Sequence, residues 1–200
     1  MRLESAIAET SSGDVRRQLE AADKEVDRLA EIVERLLVLA RRIEMGGPSE
    51  VDVGDAVARA IERWQERAAR HASELEATGD GGLALADRTD LDQVLDNLLE
   101  NAIRYAPGRV VVETGQADGR VFVAVQDRGP GIRPDEVERV TERFYRGRGA
   151  PSGGSGLGLA IVRELAEKWG GAVEVQSPAE GGTRVEVHLS ASDSPYEEDS

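Results

Sequence analysis

The chain has 200 residues with a net charge of −14, 40% apolar residues and only 4% aromatic residues. This length suits one domain of about 150 residues plus a further segment, and the negative charge argues against nucleic acid or an anionic membrane surface as the main partner. The absence of cysteine excludes disulfides and thiol chemistry, and no apolar run reaches the roughly 18 residues needed to cross a membrane.

A long heptad pattern is the first organised segment. Between Val15 and Ile43, apolar or small residues recur in alternating steps of four and three over about four heptads, which is the repeat of a helical seam. Further apolar residues at Ile32, Leu37 and Leu39 widen this stripe and favour a helical bundle. We therefore expect this segment to be a helix that joins two copies of the chain, the alternative being that it packs on its own domain.

Gly46-Gly-Pro48 interrupts the helical pattern and indicates a domain boundary. Helices and mainly antiparallel strands follow, an order that predicts an α+β sandwich with a mixed sheet and helices on one face. The predicted elements are a helix over Asp55–Arg70, extended segments at Ala72–Ala77 and Leu83–Ala86, a helix over Asp90–Ala106, a hairpin of Arg109–Thr114 and Arg120–Gln126, a helix over Gly156–Trp169, and a hairpin of Val173–Gln176 and Thr183–Leu189.

Two asparagines four residues apart mark the predicted helix over Asp90–Ala106. At about 100° per residue, Asn97, Asn101 and Arg104 form a polar stripe beside the apolar face. Amide oxygens are hard ligands that suit Mg²⁺, and arginine pairs with phosphate. The pattern predicts a metal–phosphate site in which Asn101 binds Mg²⁺ and Asn97 is a second candidate ligand. A surface helix with ordinary polar residues is the alternative.

Two glycine-rich segments follow this helix. Asp127–Ile132 comes directly after a predicted strand, where Gly129 and Gly131 would let a flat ligand approach the backbone and Asp127 would accept from an exocyclic amine. The same residues are also compatible with a simple type II turn. Gly153–Leu159 opens a predicted helix, whose N–H groups and dipole favour an anion. The sequence lacks the lysine of a Walker loop and the strand–glycine order of a dinucleotide-binding fold.

Together these segments resemble the catalytic and ATP-binding domain of sensor histidine kinases of two-component systems, within the wider group of gyrase-, chaperone- and mismatch-repair-type ATPases. The resemblance covers about Val51 to Leu189 and contains five motifs in the family's order. They are an asparagine box at Leu98–Tyr105, a first glycine box at Asp127–Ile132, a phenylalanine box at Arg143–Arg146, a second glycine box at Gly154–Leu159 and a glycine-threonine turn at Gly181–Thr183. Thr141 departs from the first phenylalanine that the family often has, so the packing of the lid is less well predicted.

The resemblance implies a role for each matching residue. Catalytic roles fall to Asn97, Asn101, Arg104, Arg143 and Arg146. Nucleotide binding falls to Asn97, Asn101, Arg104, Tyr105, Asp127, Gly129, Gly131, Ile132, Phe144, Gly154, Gly156, Leu157, Gly158, Leu159 and Thr183. Residues from about Arg133 to Ser155 correspond to the family's mobile lid. Asn97 stands where hydrolytic relatives carry a glutamate, and an amide cannot act as a base that activates water.

The resemblance also implies a phosphoacceptor histidine followed by an acidic residue and, soon after, a proline. The two histidines, His71 and His188, lack these neighbours, and we expect both to be structural, with His71 entering a strand and His188 within one. Arg2–Ile7 resembles the stretch just after the histidine box, and Val15–Ile43 resembles the second helix of the dimerisation and phosphoacceptor domain. We expect the chain to begin downstream of its phosphoacceptor, as a truncated piece or a natural short form.

The expected function is therefore that of the ATP-binding catalytic region of a sensor histidine kinase. It would transfer the γ-phosphoryl group of ATP, with Mg²⁺, to a histidine for relay to an aspartate of a response regulator receiver domain. We expect residues 1–46 to be part of a dimerisation hairpin, 47–190 the catalytic domain and 191–200 a disordered acidic tail, in a cytoplasmic homodimer whose parent protein is membrane-anchored. The alternatives are an anti-sigma-type serine kinase, which the heptad helix disfavours, and a non-catalytic nucleotide-binding dimerisation module.

Overall fold

The computed structural model describes residues 49–148, 155–178 and 181–192. The heptad segment, Gly154 and most of the acidic tail lie outside the described residues. The helices within these ranges are α1 (Val53–Arg70), α2 (Arg88–Tyr105) and α3 (Gly158–Lys168). The strands are β1 (Ser49–Asp52), β2 (Glu74–Gly79), β3 (Leu83–Ala86), β4 (Arg109–Ala117), β5 (Arg120–Gln126), β6 (Ala172–Gln176) and β7 (Arg184–Ser190). Among the described helices, none combines the length and the apolar character that a bilayer crossing requires.

A five-stranded mixed sheet in the order β2-β4-β5-β7-β6 organises these elements. Strand β2 runs parallel to β4, and every other neighbouring pair is antiparallel. Strands β1 and β3 form a separate antiparallel pair. Both predicted hairpins are present, β4 with β5 and β6 with β7, so the predicted α+β architecture with a mixed sheet is confirmed.

The core lies between one face of the sheet and the helices. Alternate residues of the central strands, such as Val121 and Val123 of β5 and Val187 of β7, are fully buried. Helix α2 contributes the largest set of buried side chains because its apolar positions repeat every three or four residues, and these include Leu95 and Leu98. The apolar face of α2 is therefore fixed against the core, which holds its polar stripe at the edge.

The end of α1 differs from the prediction. Ala72 adopts a left-handed φ of 55°, and the Ser73 N–H donates to the Ala68 carbonyl at 2.9 Å. This turn stops the helix, so β2 begins two residues after Ala72. His71 is the C-terminal cap of α1, and the prediction that it enters a strand is wrong. His188 lies within β7, as predicted.

Two residues after β7 pair with β3. Ala191 forms a β-bridge with Ala84, and the Ser192 N–H donates to the Leu83 carbonyl at 2.8 Å. They pair because β3 offers a free edge on the side opposite β1.

Candidate functional site

The two asparagines of α2 lie against the start of α3. A Cβ atom placed on Gly158 would lie 3.3 Å from both Asn97 Oδ1 and Asn101 Nδ2, and 3.7 Å from Asn101 Oδ1. Asn97 donates its Nδ2 to the Gln93 carbonyl at 2.8 Å, which orients its Oδ1 towards Gly158. Two side-chain amides and a helix N-terminus thus share one small volume.

The N-terminus of α3 differs from those of the other described helices. Asp52 caps α1 by accepting from Asp55 N–H at 2.9 Å, and Asp87 caps α2 by accepting from Thr89 N–H at 2.8 Å. Helix α3 follows Leu157, has no side-chain cap and has no acidic residue in its first turn. An N-terminus without a capping carboxylate keeps its dipole and N–H groups available for an anionic ligand.

These groups fit a metal-bound phosphate. Amide oxygens are the kind of neutral oxygen ligand that Mg²⁺ accepts alongside phosphate oxygens, and Asn97 and Asn101 place theirs beside the start of α3. Arg104 donates to Glu100 at 3.1 Å on the same helix, and Glu100 also accepts from Arg67 of α1 at 3.2 Å. Such solvent-exposed ion pairs contribute at most about 1 kcal/mol, so a phosphate can compete for Arg104.

Asp127 forms a second polar centre at the end of β5. It is only 8% exposed, and its Oδ1 accepts from the N–H groups of Gly129 at 2.8 Å and Thr183 at 3.1 Å. Burial raises the pKa of the Asp127 carboxyl above its ordinary value, while these two hydrogen bonds oppose the rise. Because both bonds use Oδ1, Oδ2 is available to accept from the amine of a ligand.

The glycines of the first glycine box are required by the packing of the chain itself. Gly131 has a φ of 76°, and a Cβ atom there would lie 2.5 Å from Ser177 Oγ. On Gly129 it would lie 2.8 Å from a side-chain carbon at the end of α2, and on Gly182 it would lie 2.3 Å from the Asp127 carbonyl oxygen. The sequence predicts that Gly129 and Gly131 allow a ligand to approach the backbone, and in the structure neighbouring segments already fill the positions that their side chains would take.

Two residues here were missed by the sequence analysis. Ser177 accepts from Ile132 N–H at 2.7 Å and donates to the Gly182 carbonyl at 3.1 Å, joining the first glycine box to the glycine-threonine turn. Glu136 is only 5% exposed within a segment whose other residues are exposed or half-buried, and its carboxylate accepts from the Arg148 N–H at 3.0 Å. A serine after a strand and a glutamate among charged residues match no motif, so only their spatial contacts reveal them.

The lid segment, defined here as residues 133–148, lies against the second glycine box and α3. The Phe144 N–H donates to the Gly156 carbonyl at 3.0 Å, and Phe144 adopts a φ of 64°, which is uncommon outside glycine. A Cβ atom on Gly156 would lie 2.8 Å from the Tyr145 carbonyl oxygen. Arg143 pairs with Glu164 of α3 at 2.6 Å, so this arginine is engaged by the protein rather than directed at the asparagines.

The predicted site residues fall into two clusters on the described part of the chain. One contains Asn97, Asn101, Gly156 and Gly158, and the other contains Asp127, Gly129, Gly131, Ile132 and Thr183. Helix α2 connects the two clusters, because its C-terminal end, which contacts Gly129, lies about one turn beyond Asn101.

The remaining predicted residues lie outside these two clusters. Tyr105 and Phe144 are each 38% exposed, and Arg146 is exposed on the lid segment. Leu157 is buried and Leu159 packs on the core, so both anchor the start of α3.

Comparison with known proteins gives a consistent result. The family profile described as histidine kinase-, DNA gyrase B-, and HSP90-like ATPase matches residues 86–193. The sensor-like histidine kinase SenX3 of Mycobacterium tuberculosis is 36% identical over an alignment of 197 positions that covers 94% of this chain and 48% of that protein. The chain therefore spans about half the length of this curated relative.

Solved structures show the same similarity. The mycobacterial sensor histidine kinase MprB matches with a TM-score of 0.66 and 36% identity, covering 72% of this chain and 98% of that one. Full-length ShkA in complex with AMPPNP matches with a TM-score of 0.67 and 29% identity, covering 90% of this chain and 39% of that one.

Proposed function

Because the chain belongs to the histidine kinase-, DNA gyrase B- and HSP90-like ATPase family and is the ATP-binding catalytic region of a sensor histidine kinase, we propose that it transfers the γ-phosphoryl group of MgATP to a histidine. The observation that carries this proposal is the position of Asn97 and Asn101 beside Gly158 at the uncapped start of α3. Amide oxygens can bind Mg²⁺ and helix N–H groups can bind phosphate, and a site for MgATP requires both kinds of group.

Each part of the nucleotide has a matching group. Asn101, with Asn97 as a second ligand, would hold Mg²⁺, and the N–H groups at Gly158 would hold the phosphates. Asp127 Oδ2 would accept from the adenine amine. The AMPPNP bound to the related ShkA supports an adenine nucleotide as the ligand. Phosphoryl transfer requires mainly positioning and charge neutralisation, which these residues and Arg104 would supply.

The amide of Asn97 explains why the proposed reaction is transfer rather than hydrolysis. A general base must accept a proton from the attacking water, and a neutral amide does not do so near pH 7. Glu100 follows Asn97 by three residues on α2 and is the carboxylate that could replace this base, but it accepts hydrogen bonds from Arg67 and Arg104. Both guanidinium groups therefore engage the Glu100 carboxylate within the protein.

Incubation with γ-labelled ATP should show neither stable labelling of the isolated chain nor rapid release of phosphate. His71 and His188 lack the neighbours of a phosphoacceptor, and His71 caps α1 while His188 lies within β7. Stable label that disappears when His71 or His188 is replaced would contradict this prediction. Rapid phosphate release that disappears in Glu100→Gln would instead indicate a hydrolytic enzyme.

The proposed transfer is tested by adding a purified helical fragment that carries the phosphoacceptor histidine. Acid-labile, base-stable phosphate should appear on the fragment and should be absent when the chain carries Asn101→Ala. Acid-stable phosphate on serine would support the serine kinase alternative. Nucleotide binding without any transfer, under conditions in which the fragment is labelled by another kinase, would support a non-catalytic module.

The chain should also form a dimer through Val15–Ile43, a segment outside the described residues. The proposed partners are a second copy of the chain and the receiver domain of a response regulator, the expected acceptor of the relayed phosphoryl group. Leu29→Asp places a charge in the seam of the heptad pattern, where it would be costly to bury. Light scattering should report a dimer for the parent chain and a monomer for this variant.

Arg28→Asp is the matched control, because it changes the net charge more than Leu29→Asp does but lies at an outer position of the same pattern. It should remain dimeric. A parent chain that stays monomeric at high concentration, or a control that dissociates as readily as Leu29→Asp, would refute the proposed seam.

A further inference from the structure

The lid segment contains one buried carboxylate that no motif explains. Glu136 is 5% exposed, although its neighbours Asp135 and Glu138 are exposed. Burying a carboxylate is costly unless donors satisfy it, and the Arg148 N–H donates to its Oε1 at 3.0 Å. The same carboxylate also interacts with the Tyr145 hydroxyl, whose pKa is raised by burial and then by Glu136.

Two neighbours contact the Tyr145 side chain. The Glu136 carboxylate interacts with its hydroxyl, and the Arg139 guanidinium covers the face of its ring, 4.3 Å from the ring centroid. The Arg139 N–H donates to the Glu136 carbonyl at 2.9 Å, a backbone bond that does not depend on the Glu136 side chain. The Glu136 carboxylate therefore acts on Tyr145 through the hydroxyl group.

Tyr145 in turn lies against the second glycine box. Its carbonyl oxygen occupies the space beside Gly156, within 2.8 Å of the position that a Cβ atom would take. The preceding residue, Phe144, has a left-handed φ of 64° and donates its N–H to the Gly156 carbonyl. Such a backbone conformation costs about 1 kcal/mol or more outside glycine, so surrounding contacts must maintain it, and the fixed side chain of Tyr145 is the adjacent one.

We propose that Glu136 is a positioning residue for the nucleotide site, acting through Tyr145 to hold Gly156 and thereby Gly158 in place beside Asn97 and Asn101. This inference rests on the proposed function, because it assumes that the start of α3 binds phosphate. The residue touches no reacting atom in this scheme. Its effect should therefore concern the phosphate end of the nucleotide and leave the adenine end at Asp127 unchanged.

The test compares variants of the whole 200-residue chain in their affinity for MgATP by calorimetry and for adenosine by NMR titration. Glu136→Ala and Tyr145→Phe should each weaken MgATP binding about tenfold, which corresponds to the loss of one or two hydrogen bonds, and leave adenosine affinity unchanged. Glu136→Gln should recover much of the loss because its amide oxygen still accepts. Glu138→Ala, an exposed position on the same segment, is the matched control and should behave as the parent chain does.

The outcomes separate this role from a general structural one. Equal weakening of MgATP and adenosine binding, or unchanged MgATP affinity in both Glu136→Ala and Tyr145→Phe, would overturn the role of Glu136 alone. A parent chain that binds no MgATP would overturn the proposed function and this inference together. If Glu136→Ala does not fold, Tyr145→Phe still decides the matter, since it removes a single hydroxyl.

Discussion

Replacing Asn101 with alanine is expected to weaken Mg²⁺-dependent nucleotide binding by about 2 kcal/mol, or about 30-fold, as for the loss of a hydrogen bond or ligand contact to a charged group. Asn101 is only partly buried on α2, and its amide atoms lie 3.3 and 3.7 Å from the Cβ position of Gly158. Its truncation removes a polar group from the site without emptying the core. Calorimetric titration with MgATP measures the loss, and the difference should shrink when Mg²⁺ is withheld.

Asp92→Ala provides the control for this substitution on the same helix. Asp92 pairs with Arg63 of α1 at 3.3 Å, so its replacement removes a polar contact of α2 away from the asparagines. This variant should bind MgATP with the affinity of the parent chain. The assignment of Asn101 fails if Asn101→Ala binds MgATP as tightly as Asp92→Ala does.

Replacing Asp127 with asparagine should abolish most of the preference for ATP over GTP. In the proposed site the carboxylate Oδ2 would accept from the adenine amine, whereas guanine presents a carbonyl at the same position and cannot donate there. An asparagine retains an oxygen that accepts from Gly129 and Thr183, and its amide nitrogen can donate to guanine. Each change concerns one hydrogen bond, so the ATP:GTP affinity ratio should fall by about 10-fold or more.

The substitution should leave the domain folded. Burial already raises the pKa of the Asp127 carboxyl, which means that the charged form is disfavoured at this position and a neutral side chain of the same shape is tolerated. Asp118→Asn, the same chemical change in the β4–β5 turn, is the control and should keep the parent's ATP preference. Equal affinity of the parent chain for ATP and GTP would count against the adenine assignment.

The sequence predicted those parts of the fold that depend on local patterns. The apolar repeat of α2 determined its buried face, and therefore also placed Asn97 and Asn101 at the edge of the core. Alternating residues predicted β4 and β5, with β5 ending at Gln126 as observed. The start of β2 was misplaced because a left-handed Ala72 is a conformation that the residue type does not indicate.

The rest of the site depends on contacts between distant segments, which no local pattern contains. Ser177 joins Ile132 across 45 residues, and Gly158 meets Asn97 across a comparable distance along the chain. The motifs single out these glycines, but the atoms that require a glycine at Gly131 and Gly182 belong to other segments. Glu136 is one of many acidic residues in an acidic chain, so its burial distinguishes it only once the lid segment is folded.

The position of β7 has a consequence for biosynthesis. This strand is the last among the described residues, yet it lies between β5 and β6 in the sheet. A growing polypeptide therefore exposes the edge of β5, and β6 has no partner strand, until residues 184–190 have been made. Open strand edges invite association with other chains, and domains tend to fold as units during synthesis. The catalytic domain thus completes its core, and gains the Thr183 N–H that holds Asp127, only after the segment from Thr183 to Ser190 has been synthesised.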